Sequence, residues 1–226
     1  TYHKFDFIFC QSVDMKKDLI NKYNIDQNKL VVISNPFTLE YEPSKSRSVF
    51  FENKINFITI GRLSPEKGHE RLIRNLAKIN NYKFKYNIVG SGPEKEKLIK
   101  LVADLNLNHC VDFIPFSNNV SEFLINSDFF LQGSYVEGFP NAALESCFFG
   151  TPVIAYDCPG GTKEIIINGE NGFLVFDDSE FLNLVDNLNT SVFLKSEKVR
   201  EYVVNQFSSE KILNKYYILI NRLLIK

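Results

Sequence analysis

The stretch Gly133–Glu145 has the sequence GSYVEGFPNAALE and lies between two apolar runs, Asp128–Leu131 and Pro152–Ala155. Its first part contains a Gly-Phe-Pro-Asn turn, and its second part has the pattern of a helix that ends at Gly150. A loop that leads from a buried strand into a helix is where a fold of alternating strands and helices binds its ligand. The stretch therefore indicates both the fold class and the place of the site.

The same alternation extends to both sides of this stretch. Short apolar runs predict strands that helices cover on both faces, and His69–Ile79 and Pro93–Leu105 have apolar residues at helical spacing. We therefore expect an α/β fold with a doubly wound, parallel, Rossmann-like sheet. The predicted strands are Ile55–Ile60, Phe84–Val89, Val111–Ile114, Asp128–Leu131, Pro152–Ala155 and Phe173–Val175. The expected buried face of the second helix is Leu98, Ile99, Val102 and Leu105.

Two further regions flank the alternating part of the chain. Before it, Phe5–Phe9 and Lys29–Ile33 are predicted strands, and Ser12 is placed to cap a helix between them. Residues 40–54 are polar and contain Pro43, so we expect a linker and domain boundary there. The closing helices are predicted over Ser179–Leu188, Ser191–Asn205 and Ser208–Leu224.

Composition and charge narrow the class of protein. The 226 residues include 26 Lys and Arg and 27 Asp and Glu, so no basic field would attract nucleic acid. Four widely spaced cysteines predict buried, reduced thiols, as in cytosolic proteins. His3, His69 and His109 are scattered, so no metal site is predicted. No apolar run of about 18 residues is present. We expect a cytoplasmic protein that touches the cytoplasmic membrane face at most peripherally.

The loops after the first two strands of the alternation carry cations and glycines. Gly61–Gly68 offers the planar guanidinium of Arg62 and the flexible ammonium of Lys67, a pair that suits a diphosphate. Solvated surface charges would explain this loop alone equally well. Gly90-Ser91-Gly92 would let a ligand approach the backbone, although a tight strand-to-helix turn would explain these glycines as well.

The opening stretch carries two carboxylates, Glu137 and Glu145, around its turn. Free backbone N–H groups at the start of the helix would bind an anion or sugar hydroxyls. Asn141 lies four residues before Glu145, so both share one helix face. Phe139 is the aromatic residue that we expect in the wall of the site. A helix that merely carries acids near its N-terminus would explain one glutamate, but not the turn between the two.

These motifs together resemble the donor half of the retaining glycosyltransferases of GT-B fold, the large family four. The resemblance rests on Gly61-Arg62 with Lys67-Gly68, Gly90-Ser91-Gly92, Glu137-Gly-Phe-Pro-Asn-(x3)-Glu145, Gly150–Ile154 and Gly161–Ile165. It covers roughly residues 5–205 and is strongest over 55–175. The implied activity is transfer of a hexose or N-acetylhexosamine from a nucleotide diphosphate sugar, which we expect to be UDP-linked, with retention of configuration.

The resemblance also implies roles for single residues. Arg62, Lys67 and Glu137 would be catalytic, the two cations by stabilising charge on the leaving diphosphate. The transferred sugar would be bound by Glu137, Gly138, Phe139, Pro140 and Asn141. The nucleotide would be bound by Gly61, Arg62, Lys67, Gly90, Ser91, Ile114, Phe116, Ala142 and Glu145. Among these, Glu145 would hold the ribose hydroxyls and the backbone near Ile114–Phe116 would meet the base. No cofactor or metal is expected, and no nucleophile is assigned.

The implied partners are a nucleotide-sugar donor and a glycan or lipid-linked acceptor, but no nucleic acid. Because GT-B enzymes place the acceptor on an N-terminal domain, residues 1–50 would be a remnant of that domain plus a linker. Residues 51–205 would be the nucleotide-sugar-binding domain, and residues 206–226 a helix that crosses back. We expect a further N-terminal domain or a partner chain to complete the protein. The apolar side chains of Phe5–Phe9 and of the last helix would be exposed without it.

Three other functions stay open. The chain could be a nucleotide-sugar-binding module or a subunit that is inactive alone, which donor binding without turnover would favour. A nucleotide-sugar epimerase of similar architecture is the second alternative, although the glutamate spacing with Arg62 and Lys67 speaks against it. A dinucleotide-dependent oxidoreductase ranks last, because no G-x-G-x-x-G motif opens the first helix of the alternation.

Overall fold

The computed structural model describes residues 2–37, 54–81, 83–117, 119–188 and 196–224. The predicted linker over 40–54 lies outside the described residues, except for its last residue. The strands in the described part are β1 Ile8–Cys10, β2 Leu30–Val32, β3 Lys54–Ile60, β4 Lys83–Val89, β5 Val111–Ile114, β6 Phe129–Gln132, β7 Val153–Tyr156 and β8 Gly172–Val175. The α-helices there are α1 Val13–Tyr23, α2 His69–Leu76, α3 Lys95–Asp104, α4 Val120–Ile125, α5 Asn141–Phe148, α6 Thr162–Ile165, α7 Asp178–Asp186, α8 Ser196–Phe207 and α9 Ser209–Leu224.

Strands β3 to β8 form one parallel sheet in the order β5-β4-β3-β6-β7-β8. The order reverses between β3 and β6, which pair through Phe57 with Phe129 and Ile58 with Phe130. At such a switch point the loops after the two strands diverge and leave a crevice at the carboxyl edge of the sheet. The predicted doubly wound parallel sheet is confirmed, and its topology places the crevice beside the loops after β3 and β6.

Alternation along the strands divides the core between the two faces of the sheet. Phe57 belongs to the apolar cluster that contains Leu72 of α2, whereas the next residue, Ile58, belongs to the cluster that contains Leu144 of α5. Helices α2, α3 and α7 cover the first face, and α5 and α8 cover the second. All residues of β6 and β7 are buried, as expected where helices cover both faces, whereas β4 and β5 also contain Lys85 and Asp112, which form an ion pair.

The predicted buried face of α3 is wrong at one residue. Ile99 is 38% exposed, whereas Leu98, Leu101 and Val102 are buried. Residues three and four apart share a helix face, so Leu101 and Val102 lie beside Leu98 and turn Ile99 towards solvent. The apolar residues of this helix outnumber the positions on its buried face, and the sequence alone did not select among them.

The N-terminal segment forms a small unit of its own. Strands β1 and β2 pair in parallel, and α1 packs on them over a core that contains Cys10 and Leu19. The Ser12 side chain accepts a hydrogen bond from the N–H of Met15 at 3.2 Å, so the predicted cap is confirmed. The strand predicted over Phe5–Phe9 begins later, at Ile8.

Helix α9 returns to this N-terminal unit. Ser209 donates a hydrogen bond to the carbonyl of Phe37 at 2.7 Å, and the rings of Tyr216 and Phe9 lie 5.0 Å apart. Several large apolar side chains of both elements are nevertheless exposed, as the sequence predicts. This exposed apolar set consists of Tyr2, Phe5, Phe9, Val13, Met15, Tyr23, Leu213, Tyr217, Ile218 and Ile220.

Two other properties of the chain bear on its class. The four cysteines, Cys10, Cys110, Cys147 and Cys158, are buried and form no disulfide, as predicted. Among the described helices, none has both the length and the apolar character needed to cross a membrane.

Candidate donor-binding site

A cavity of about 230 Å³ lies at the switch point, between the loops after β3 and β6. Gly68 has a left-handed φ of +63°, and a Cβ atom there would lie 1.9 Å from the carbonyl oxygen of Gly133. Glycine is therefore required where the two loops meet. The predicted site residues that line the cavity are Gly61, Arg62, Lys67, Glu137, Phe139, Pro140, Asn141 and Ala142.

An ion pair between Lys67 and Glu137 joins the two loops. The Lys67 Nζ atom lies 2.7 Å from Oε1 and 2.9 Å from Oε2 of Glu137. The Ser134 hydroxyl donates to the same Oε1 at 2.6 Å. The Glu137 side chain is 8% exposed and that of Lys67 is 31% exposed. The sequence predicted a cation for the donor and a carboxylate for its sugar, but not that they bind each other.

Arg62 differs from Lys67 in having no such partner. Its side chain is exposed and makes no hydrogen bond or ion pair with the described residues. Its carbonyl oxygen, by contrast, accepts from the N–H of Ser64 at 3.1 Å and contacts Nε2 of His69 at 3.1 Å. The backbone of this loop is therefore fixed while the guanidinium stays available to a ligand.

The N-terminus of α5 contributes free backbone donors. Across the described residues, the N–H groups of Gly138, Phe139, Asn141 and Ala142 have no hydrogen-bond partner, and no side chain caps the helix. The positive end of the helix dipole adds to this effect. With two cations, one carboxylate and the N–H groups of Phe139, Asn141 and Ala142, the cavity is suited to an anion. The Asn141 side-chain oxygen is already occupied, since Asn35 donates to it at 2.9 Å.

A second cavity of about 390 Å³ adjoins the first and shares Gly61 and Arg62 with it. Of the residues predicted to bind the nucleotide, it adds Gly90, Ser91 and Phe116. The Phe116 side chain is 75% exposed at its rim. Ile114 lies in neither cavity lining, and its carbonyl accepts from the N–H of Gly90 at 2.9 Å.

The glycines of the loop after β4 have a packing role. A Cβ atom on Gly90 would lie 1.9 Å from the carbonyl oxygen of Gly61, and one on Gly92 would lie 2.3 Å from that of Leu63. The expected close approach is therefore made by the neighbouring loop, and it needs no ligand to explain it. A Cβ on Gly61 itself would meet nothing within 4 Å, so that side of the loop is open.

Glu145 lies one turn into α5 and outside both cavities. It is partly buried and has no side-chain partner among the described residues. Burial raises the pKa of this carboxyl group above its ordinary value. A partly buried carboxylate without a partner is a feature that structural roles rarely require and binding sites often contain.

A third cavity of about 520 Å³ lies against the same ion pair and is lined by Lys67, Glu137 and Gly138. Its other wall includes Asp14 and Tyr23 of α1. The pair thus takes part in the walls of two cavities, one between the β3 and β6 loops and one facing the N-terminal unit. Gly138, predicted beside the sugar, lines the latter.

Sequence reasoning missed Ser134 and His69. Ser134 lies in the opening stretch, three residues before Glu137, but a serine in a loop carries no distinguishing pattern. His69 was considered only as a metal ligand, although its place next to Gly68 at a helix start was visible. Within the described residues, no group of three or more His, Cys, Asp or Glu side chains could hold a metal ion.

Comparison with known proteins identifies related sequences. The family model of the glycosyl transferases group 1 matches residues 40–206. An uncharacterized glycosyltransferase of Haemophilus influenzae is 30% identical over 195 residues, which are 84% of this chain and 54% of that protein. The N-acetylgalactosamine-N,N'-diacetylbacillosaminyl-diphospho-undecaprenol 4-alpha-N-acetylgalactosaminyltransferase of Campylobacter jejuni is 30% identical over 206 residues, 91% of this chain and 55% of that protein. The chain thus spans about half the length of these relatives.

Solved structures share the fold. HepE of Anabaena in complex with UDP and glucose matches with a TM-score of 0.85 at 21% identity, over 97% of this chain and 64% of that one. The lipopolysaccharide outer core galactosyltransferase WaaB in its apo form matches with a TM-score of 0.80 at 21% identity, over 96% and 62%. At these identities the likeness concerns the fold, and the predicted GT-B architecture is confirmed.

Proposed function

Since the chain belongs to the glycosyl transferases of group 1, we propose that it is the donor-binding part of an enzyme that uses a nucleotide diphosphate sugar. One observation carries the proposal: Arg62, Lys67 and the free N–H groups at the start of α5 line a single cavity at the switch point. Cations and a helix N-terminus form the environment that binds a diphosphate. We propose a UDP-linked hexose or N-acetylhexosamine as the donor.

Donor binding in this proposal rearranges the ion pair. The diphosphate takes Lys67 from Glu137, and Arg62 binds without giving up a partner. The released Glu137 carboxylate, still held by Ser134 at 2.6 Å, accepts hydrogen bonds from hydroxyls of the transferred sugar. Glu145 accepts hydrogen bonds from the ribose hydroxyls. Glu137 is thus free to bind the sugar only after the diphosphate has bound Lys67, so recognition of the sugar depends on binding of the diphosphate.

Transfer in this proposal depends on charge stabilisation. As the bond between the anomeric carbon and the diphosphate breaks, Arg62 and Lys67 stabilise the negative charge on the leaving group. The oxygen of an acceptor hydroxyl forms the new bond to the anomeric carbon, and the hydroxyl proton passes to the leaving diphosphate. The resemblance implies that configuration is retained, and we keep retention as part of the proposal. Proton NMR of the anomeric signal of the first product measures it directly.

We propose a glycan or a lipid-linked acceptor, since the name of the Campylobacter jejuni relative includes a sugar linked to diphospho-undecaprenol. It would approach the Lys67–Glu137 pair through the third cavity, from the side of α1. Such an acceptor places the protein at the cytoplasmic membrane face as a peripheral protein. Residues 1–50 would then belong to the acceptor side, 51–205 to the donor side, and 206–226 to a helix that connects them.

A panel of nucleotide sugars tests the donor assignment. A ligand present at 100 times its dissociation constant raises the free energy of unfolding by about 2.7 kcal/mol. We expect UDP-glucose, UDP-galactose or one of their N-acetylated forms to raise the melting temperature. Dinucleotides such as NAD should have no effect. Stabilisation by NAD alone, or by no nucleotide sugar at all, would contradict the proposal.

A second candidate function is a donor-binding module that is inactive alone. The chain spans about half of its relatives' length and exposes a set of large apolar side chains. Donor binding without hydrolysis or transfer, followed by transfer on addition of a second chain, would favour this candidate. Interconversion of the donor sugar without any acceptor would instead favour an epimerase.

A further inference from the structure

His69 is a buried histidine in the wall of the donor cavity that the proposed chemistry does not use. It is the first residue of α2, follows Gly68 and is 1% exposed. Its Nε2 atom lies 3.1 Å from the carbonyl oxygen of Arg62. The ring therefore connects the start of α2 to the backbone of the loop that carries the unpaired guanidinium.

The chemistry of the contact fixes the state of the ring. A carbonyl oxygen only accepts hydrogen bonds, so the contact with Arg62 requires the proton on Nε2. Burial lowers the pKa of His69 and favours the neutral ring, which leaves Nδ1 without a proton. Nδ1 is buried and has no partner in the described part of the chain. A leucine at this position would fill the same space without leaving a buried acceptor such as Nδ1 unpaired. The feature that histidine has and leucine lacks is the Nε2–H donor.

Among the described residues, the backbone next to Arg62 is held at Gly61 and Leu63, the residues on either side. The N–H groups of Gly61 and Leu63 donate to carbonyls of β4 and of the loop after it, at 3.0 and 2.9 Å. The Arg62 carbonyl accepts from Ser64, within the same loop. His69 is thus the contact that ties the Arg62 carbonyl to a helix. The direction of an exposed, unpaired side chain depends on the orientation of its own backbone.

We propose that His69 is a positioning residue whose Nε2–H holds the Arg62 carbonyl and so directs the guanidinium into the donor cavity. The inference rests on the proposed donor site. An arginine side chain loses conformational entropy when it binds a ligand. A fixed backbone lowers that entropic cost, because fewer side-chain conformations have to be given up. His69 therefore contributes to the binding of a diphosphate through Arg62, and not to the binding of the nucleoside.

Substitutions separate the hydrogen bond of the ring from its packing. His69→Leu keeps the apolar volume and removes the donor, whereas His69→Gln places an amide N–H near the position of Nε2. Each variant is titrated with UDP and with uridine by calorimetry. We expect His69→Leu to weaken UDP binding about three- to tenfold and His69→Gln to recover most of that loss. Uridine binding should be unchanged in both.

The same substitution in an Arg62→Ala background shows whether His69 acts through the guanidinium. We expect no further loss of UDP affinity there, because the positioned group is gone. An equal loss in both backgrounds, or a parallel loss of uridine affinity, would overturn the positioning role and leave the donor site standing. Failure of the wild-type chain to bind UDP would overturn the donor site, and the positioning role with it.

A third variant keeps the test decisive if His69→Leu does not fold. The amide of His69→Asn is one carbon shorter than that of His69→Gln and corresponds to Nδ1 rather than Nε2. The asparagine variant should bind UDP about three- to tenfold more weakly than the glutamine variant. Equal affinities of the two would contradict the proposal.

Discussion

The loops around the switch point and the exposed apolar set differ in whether their side chains find partners within the chain. In the loops, Lys67 and Ser134 both donate hydrogen bonds to the Glu137 carboxylate, at 2.6 to 2.9 Å. In the exposed apolar set, Tyr217 and Leu213 are more than 60% exposed on α9. The first region arranges polar groups for a ligand, and the second presents apolar surface of the kind that another protein surface covers. In the proposed account, donor binding and contact with another protein surface are therefore tasks of separate regions.

The largest expected contrast is in stability, between a substitution in the core under the switch-point loops and one in the core of the N-terminal unit. Leu72 belongs to the large cluster under the six-stranded sheet, whereas Leu19 belongs to the small core of the N-terminal unit. We expect Leu72→Ala to lower the free energy of unfolding by about 4 kcal/mol and Leu19→Ala by about 2, because the smaller unit collapses more easily around a cavity. Urea denaturation measures both. A cost for Leu19→Ala that equals or exceeds that of Leu72→Ala would remove the contrast.

The ion pair gives the next largest effect. Lys67→Met removes a cation that we assign to the diphosphate, and it leaves Glu137 with Ser134 alone. We expect UDP affinity to fall about 10- to 100-fold, the usual range for losing a charged hydrogen bond. Lys97→Met is the matched control, since Lys97 also forms ion pairs, with Glu70 at 2.7 Å and Glu94 at 3.0 Å. Similar losses in both variants would mean that the effect is not specific to the cavity.

The exposed apolar set predicts association of this chain. We expect the chain to self-associate and to bind an apolar dye, and Tyr217→Lys to weaken self-association several-fold by placing a charge in the contact. Light scattering over a concentration series measures it. Asn214→Lys adds the same charge at a polar, exposed position of α9 and should have less effect. A wild-type monomer without dye binding would show that nothing needs to cover this surface.

Glu145 gives the smallest expected effect, a pH dependence of donor affinity. Burial raises the pKa of this carboxyl group, so it takes up a proton at a higher pH than exposed acids do. Because the ionised form is the one assigned to the ribose hydroxyls, affinity should fall about threefold once the group is protonated, and the fall should begin at a higher pH than the titration of an exposed acid. UDP-glucose is the probe, since it lacks the terminal phosphate that titrates in UDP. Glu145→Gln should bind more weakly at pH 7.5 and show a flatter profile.

The elements of the fold follow from local patterns, which is why the sequence predicts them well. Strand β3 was predicted as Ile55–Ile60 and is Lys54–Ile60. The prediction succeeded because an apolar run of this length is typical of a buried strand. The helix after Ser12 was predicted from its cap, a contact across three residues. Each signal lies within one short window of sequence. The order of the strands, which creates the crevice, was not predicted, because no local pattern encodes it and doubly wound sheets occur with more than one order.

The internal connections of the site could not be predicted in the same way. Lys67 and Glu137 are 70 residues apart in the chain, and no local pattern indicates that they meet. The contact of His69 with Arg62 depends on how α2 packs against its preceding loop. The glycines at 90 and 92 were visible, but the backbone that they approach belongs to another loop. The residue types predicted which chemical groups the loops offer. Which of these groups contact each other is seen only in the packed structure.

The most direct measurement is a calorimetric titration of UDP into the wild-type chain, Arg62→Ala and Arg74→Ala. Arg74 is a matched control, because it lies on α2 outside the cavity and pairs with Glu70 at 2.8 Å. If the cavity between the β3 and β6 loops binds the diphosphate, Arg62→Ala lowers UDP affinity about 10- to 100-fold and Arg74→Ala leaves it unchanged. Wild-type affinity in Arg62→Ala, or no binding of UDP by the wild-type chain, would contradict a donor site at this place.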